Sequence, residues 1–219
     1  MIKEVVEKII KDIPGNVEIV AAAKQRTPQE VLQAVCAGVK IIGDNYVQEA
    51  QKTKRALDGD LQWHFIGRLQ SNKVRRAVKI FDVIQTLDSF KLARLINAES
   101  HKIGKVMPVL VEVNVAREPQ KGGIFPDQVE EFIQQVLNLK NIKLIGLMMM
   151  GEWSQNSKDL RPQFKEAKNL FDKIGQLHKD KLDWKYLSMG MSESYKVAIE
   201  EGANMVRLGT AIFGQRNQK

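Results

Sequence analysis

Eight short runs rich in valine, isoleucine and their apolar neighbours punctuate this chain, at 18–23, 39–42, 62–66, 83–86, 106–115, 143–149, 184–188 and 205–208. Stretches with helical periodicity separate them, at 28–36, 46–56, 71–78, 89–101, 126–137, 162–177 and 194–200, and an amphipathic helix is expected ahead of the first run, at 2–12. A strand covered on both faces reads as an apolar run, and parallel neighbours need a crossover helix between them. The alternation therefore predicts an α/β fold built on a parallel sheet. Eight such units within 219 residues, with no linker-like segment, favour one domain over 1–219: a single (β/α)8 TIM barrel with an extra N-terminal helix. An open doubly wound sheet is the alternative. It would carry a glycine fingerprint after the first strand, where Lys24, Gln25 and Arg26 stand instead. The sharpest helix boundary is at Thr27, with Pro28 in the first turn, Glu30 completing a capping box and Gly38 as the stop.

Composition excludes several classes. Hydrophobic residues at 43% and charged residues at 27% suit a globular chain. Cys36, the one cysteine, can form neither an intrachain disulfide nor a thiolate metal cluster, which points to a reducing, cytoplasmic setting. No apolar stretch reaches membrane-spanning length, and the charge-studded amino terminus is unlike a signal peptide. The net charge of +8 calls for a partner of negative sign, a nucleic acid or a phosphorylated small molecule. Its densest source, Arg68, Lys73, Arg75, Arg76 and Lys79, has no interleaved aromatics and reads as a solvated helix face rather than a nucleic-acid interface.

In such a barrel the chemistry sits at the carboxyl ends of the strands, with phosphate sites in the loops after strands seven and eight. Lys24 follows the first strand, Gly43-Asp44-Asn45-Tyr46 the second, and His64 and Gly67 lie at the third. Ser188-Met189-Gly190-Met191-Ser192 follows the seventh, and the eighth leads through Arg207 into Gly209-Thr210. Hydroxyls at Ser192 and Thr210, with Gly190 and Gly209 opening the backbone, can hold a phosphate. Barrel closure brings Lys24 beside that loop. A phosphate cradle, a lysine able to condense with an aldehyde, and an arginine beside a ring nitrogen describe a pyridoxal phosphate site, whereas a merely solvated strand-end lysine is the plainer alternative. His64 fits a pocket residue or a hydrogen-bonded structural one, His101 and His178 read as surface, and Met148 to Met150 as core or pocket lining. No metal site is expected. Lys121, in a loop, is the best second amine.

The segments VAAAK (20–24), GDNYVQEA (43–50), WHFIGRLQSNK (63–73), KGGI (121–124), GLMMMG (146–151), SMGMS (188–192) and VRLGTAIFG (206–214) resemble, in order, the motifs of the pyridoxal phosphate homeostasis protein family. The resemblance runs from about Val20 to Gly214 and implies the barrel of the alanine racemase N-terminal type. It further implies pyridoxal 5′-phosphate as cofactor, Lys24 as its Schiff-base lysine, Asn45 as a pocket residue, Ser192, Gly209 and Thr210 at the phosphate, and Arg207 facing the pyridine nitrogen. Two departures stand out. Ala23 precedes the lysine where the family often has serine, and Arg26 replaces a second lysine, which puts an auxiliary transfer role for that amine in doubt. The implied function is to store or deliver the cofactor to apo-enzymes without strong catalysis. The alternative is a low-activity amino-acid racemase, against which stand the scarcity of tyrosines (Tyr46, Tyr186 and Tyr195) and the presence of Arg207, which cannot hold the ring nitrogen's proton. An RNA contact through the basic helix is a third reading. With no second domain expected beyond the barrel, the chain reads as a monomer.

Overall fold

The structure, a computed structural model, describes residues 2–57, 59–118, 120–151 and 157–215. Strands β1 (Glu18–Ala22), β2 (Ile41–Asp44), β3 (Gln62–Phe65), β4 (Val83–Leu87), β5 (Met107–Val113), β6 (Ile142–Met149), β7 (Tyr186–Met191) and β8 (Met205–Leu208) close a barrel in sequence order. Every pair is parallel, and β1 seals the ring against β8 with Val20 opposite Arg207 and Ala21 opposite Leu208. Helices α1 (Ile2–Asp12), α2 (Pro28–Cys36), α3 (Val47–Ala56), α4 (Val74–Ile80), α5 (Phe90–His101), α6 (Val129–Val136), α7 (Arg161–Leu177) and α8 (Tyr195–Glu200) surround it, and a short α9 (Thr210–Phe213) follows β8. The open-sheet alternative is excluded by that closure. The extra helix α1 lies against α2 and α9, burying Val6 and Ile9.

Two hydrophobic layers hold this arrangement. Val20, Ile41, Ile66, Val83, Leu110, Ile145, Met148 and Met205 fill the barrel interior. Trp63, Phe65, Phe81, Ile84 and Phe164 belong to the layer between strands and helices, and all are fully buried. At about 1.5–3 kcal/mol for each large side chain withdrawn from water, the two layers are the main source of stability. The methionine run divides as its alternation demands: Met148 faces inward, Met149 outward into the second layer, and Met150 emerges at the rim, 37% exposed.

The start of α2 is as its sequence specifies, with the Thr27 hydroxyl accepting from Glu30 N at 3.3 Å and Glu30 Oε2 accepting from Thr27 N at 2.8 Å. Two strands are shifted from expectation, and β5 is shorter than 106–115 at both ends. β2 runs two residues later than 39–42, because Val39 N still closes the end of α2 by donating to Ala34 O. β7 begins at Tyr186 and continues to Met191 instead of spanning 184–188. Trp184 is drawn out of the strand by α7, stacking on Phe171 at 5.5 Å and donating its indole N–H to Phe171 O at 2.9 Å. Gly190 thus lies inside β7, at φ +89°, where an added Cβ would come 2.6 Å from Ala198 Cβ of α8. Its role is to let α8 approach the strand rather than to open the backbone to a phosphate. His101 is exposed, but His178 is half-buried, because the backbone from 178 to 182 folds back on it through bonds from Lys181 N and Leu182 N to His178 O.

The loops after β2 and β3 are pressed together. A Cβ on Gly67 would lie 2.6 Å from Asn45 O and 2.7 Å from Asn45 Cα, and backbone cannot yield as a flexible side chain does. Gly67→Ala is expected to cost about 1–3 kcal/mol and to lower the Tm by about 2–12 °C, a fall readable by circular dichroism. An unchanged Tm would show that the loops are further apart than described.

Candidate functional site

All six residues singled out around the strand ends line one cavity of about 610 Å3 at the mouth of the barrel: Lys24, Asn45, Ser192, Arg207, Gly209 and Thr210. Arg26, Lys121, Glu193 and Met150 complete much of its wall.

Lys24 is held by the way β1 ends. Ala23 N donates to Gly43 O at 2.8 Å and Arg26 N to Ala23 O at 2.9 Å, making a tight turn across the lysine. Within it Gln25 takes φ +59°, a left-handed conformation that an L-residue adopts only when its surroundings fix it. Glu49 of α3 supplies the constraint, Oε2 accepting from Gln25 N at 3.0 Å. The Lys24 ammonium lies 5.3 Å from the Tyr46 ring centroid, a cation–π contact. Arg26, two residues on, is committed elsewhere. Its guanidinium donates to Phe213 O at 3.1 Å, to Gly214 O and to Glu30 Oε1 at 3.2 Å, bracing the end of α9 from outside.

The opposite wall is a cluster of donors. Ser192 Oγ accepts from Gly209 N at 3.1 Å and from Ala211 N at 3.0 Å, so its own proton is left to donate into the cavity. The Thr210 hydroxyl stands beside it. A Cβ on Gly209 would meet only Ala22, at an ordinary 3.6 Å, so this glycine is not enforced by packing. Hydroxyls and N–H groups converging on one concave place suit a phosphate oxygen set.

Arg207 forms the rear. It is buried, and Nη1 donates to Ser188 O at 2.9 Å and Ser188 Oγ at 2.8 Å while Nη2 donates to Met149 O at 2.8 Å. Burial pulls it down to about 10, against the attraction of Glu112, so it stays a cation at neutral pH. The polar chain continues across the barrel: Ser188 Oγ donates to Gln85 Oε1 at 2.7 Å, and Gln85 Nε2 meets His64 Nδ1 at 2.8 Å. His64 is therefore the structural histidine of the two readings, and burial pushes its pKa down to about 3, keeping the ring neutral.

Sequence reasoning missed Gln85 and Glu112. Each is a polar residue set within an apolar strand run, VIQTL and VLVEV, and that interruption was the available signal. Burial raises the Glu112 carboxyl to about 7, with Asp88 adding to the shift and Arg207 and Arg68 opposing it. Asp44, at the end of β2, is raised to about 6 by burial, partly offset by the Tyr46 N–H it accepts at 2.9 Å. Lys121 shares the cavity with Lys24 and is ion-paired to Glu118. The loop carrying it is stitched to β5, with Ile124 N donating to Glu112 O at 2.8 Å and Asn114 N to Ile124 O at 2.9 Å. Among the described residues no three His, Cys, Asp or Glu side chains gather as a metal-binding group, and no helix is long and apolar enough to cross a membrane.

The donor set fits a phosphorylated aldehyde: an amine, an anion cradle opposite it, and a buried cationic donor between them. Comparison with known proteins points the same way. Residues 2–217 match the family described as alanine racemase, N-terminal domain. A pyridoxal phosphate homeostasis protein of Aquifex aeolicus is 41% identical over 200 residues, covering 91% of this chain and 87% of that one. The structure of PipY from Synechococcus elongatus with PLP bound superposes at a TM-score of 0.90 and 30% identity, covering 98% of this chain and all of that one. An alanine racemase of Clostridium difficile, at 16% identity, shares the fold at a TM-score of 0.81, and this chain spans 57% of its length.

Proposed function

Because the chain belongs to the alanine racemase N-terminal domain family, and within it to the pyridoxal phosphate homeostasis proteins, we propose that it binds pyridoxal 5′-phosphate at the Lys24 cavity and holds it in store for apo-enzymes rather than turning over a substrate. The observation that carries this reading is the meeting of an amine, two hydroxyls and a buried guanidinium around one cavity of about 610 Å3.

When bound, the cofactor supplies an aldehyde that condenses with primary amines, and a ring that can accept electrons once its nitrogen is protonated. Lys24 is the amine we assign to hold it covalently. Ser192 and Thr210 donate to the phosphate through their hydroxyls, with the Thr210 N–H, while the Gly209 and Ala211 N–H groups hold Ser192 Oγ in place; Asn45 bounds the cavity at the end of β2. Arg207 can only donate toward the ring, so it offers the nitrogen no proton to keep, and the electron sink stays weak. The titratable residues among the cavity's described lining are Lys24, Arg26, Lys121, Glu193 and Arg207. Neither tyrosine nor histidine is among them, and Lys121 is paired with Glu118. Both points favour a carrier over a racemase, which needs a second acid or base opposite the lysine.

The test is to load the protein, reduce it with borohydride and map the labelled peptide. A label at Lys24, with no α-proton exchange of D- or L-alanine at enzyme rates of about 1–1,000 per second, is expected. Exchange at such rates would replace the carrier by a racemase. The double variant Ser192→Ala/Thr210→Val is expected to retain the cofactor at least about tenfold less tightly, since each charge-assisted hydrogen bond is worth about 1.5–3 kcal/mol. Saturating cofactor should restore the Lys24 label, which separates loss of the phosphate cradle from loss of the amine.

A further inference from the structure

The segment from Gly67 to Lys73 contributes nothing to the Lys24 cavity. Its side chains instead line a second cavity, of about 860 Å3, between the ends of β2, β3 and β4 and the Gly122–Gly123 turn. The two cavities share Asn45 in their walls. Three cations face the second, Arg68, Lys73 and Lys91, against one carboxylate, Asp88. None of the three cationic side chains makes a hydrogen bond or ion pair with a described residue, whereas Lys54, Lys102, Lys121 and Arg161 each have an acidic partner. The twelve-residue helix α5 starts at the same place, where Ser89 accepts from Leu92 N and leaves the amides of Phe90 and Lys91 without acceptors inside the helix. The floor is apolar, formed by Val47, Phe65, Leu69 and Leu92.

We propose that this second cavity is a binding site for a phosphate monoester carried on a flat ring. Arg68, Lys73 and Lys91 with the first amides of α5 take the phosphate, and the apolar floor takes the ring. A concave volume of this size falls in the range of about 300–1,000 Å3 usual for small-molecule sites, whereas an extended nucleic acid would lie along the outer face of α4, where Arg75 and Arg76 are exposed. Asp88 sets a limit on the charge of the ligand. Gly122 lies over it, for a Cβ there would come 3.4 Å from Asp88 Oδ2 and 3.9 Å from both carboxylate oxygens of Glu112 behind it, so the roof of the site is in contact with both acids. Because the two sites adjoin, the chain can carry a ring phosphate at a station next to Lys24 that does not engage that lysine.

Amide NMR of the uniformly labelled full chain, titrated with phenyl phosphate, inorganic phosphate and phenol, tests this. Phenyl phosphate is expected to shift the amides of residues 68–73 and 90–92 with an isotherm separate from that of residues 209–211. The double variant Arg68→Ser/Lys73→Ser should weaken the first isotherm at least about tenfold, leaving the second isotherm unchanged and the chain folded, because neither side chain makes a hydrogen bond or ion pair with a described residue and Arg68 loses only its attraction to Glu112. Phenol should shift neither set. Silence of residues 68–73 and 90–92 at millimolar phenyl phosphate would overturn the proposal, as would indifference to the double variant. A tighter response to a single-stranded RNA, centred on Arg75 and Arg76, would also overturn it. The probe carries no aldehyde, so failure of labelling at Lys24 alongside a normal first isotherm would sink only the function proposed above.

Discussion

Lys24→Ala is expected to remove the borohydride-fixed label entirely while the protein stays folded. The amine is the only part of Lys24 with chemistry to lose, since the backbone bonds that shape the turn belong to Ala23, Gln25 and Arg26. Its side chain contributes a cation–π contact with the Tyr46 ring at 5.3 Å, worth about 0.5–1 kcal/mol at a partly exposed place, and a weaker attraction to Asp44. A Tm shift of only about 1–4 °C should follow. Lys24→Arg is the control: it keeps a cation over Tyr46 but cannot condense with an aldehyde, so it should hold the cofactor reversibly and yield no label. A label that survives in Lys24→Ala and maps to Lys121 would show that the wrong amine was chosen, for both line the same cavity.

The second large effect is on stability, at Arg207. Replacing it by methionine leaves Ser188 O and Met149 O without their donor inside the barrel and removes the cation facing Glu112. Unsatisfied buried acceptors cost about 1–3 kcal/mol each, so a loss of about 3–5 kcal/mol and a Tm lower by about 6–20 °C is expected by calorimetry. Arg207→Glu should be worse, because it sets a carboxylate against two carbonyl oxygens and a second carboxylate, and soluble folded protein should not be recovered. Arg207→Lys keeps the charge but cannot reach both carbonyls with one rigid fork, and should fall between. A native Tm in Arg207→Met would mean that the guanidinium is not the hub of the polar chain from Ser188 through Gln85 to His64.

Much of this was legible before any coordinates, and for identifiable reasons. Strands covered on both faces cannot hide their apolar runs, so the eight-unit alternation survives in the sequence. Thr27, Pro28 and Glu30 announce a helix through local bonds alone. Lys24, Ser192, Arg207, Gly209 and Thr210 follow from the rule that strands of such a barrel deliver chemistry at their carboxyl ends, and Asn45 from the family resemblance. What was not legible depends on distant partners. Trp184 looks like a strand residue until α7 is there to stack on it, and Gly190 looks like a loop glycine until α8 needs the space. Gln85 and Glu112 pass as blemishes in apolar runs because their meanings lie with Ser188 and Arg207, far along the chain. The second cavity is assembled from three strand ends and a turn, no one of which reveals a concavity.

Arg26 reaches across 187 residues to grip Phe213 O, and Ser192 holds the amides of Gly209 and Ala211 only once β8 has been laid beside β1. The Lys24 cavity is therefore a seam between the first strand of the barrel and the last. Until β8 and α9 are in place Lys24 has no wall opposite it, so the cavity is a property of the closed ring and of no part of it.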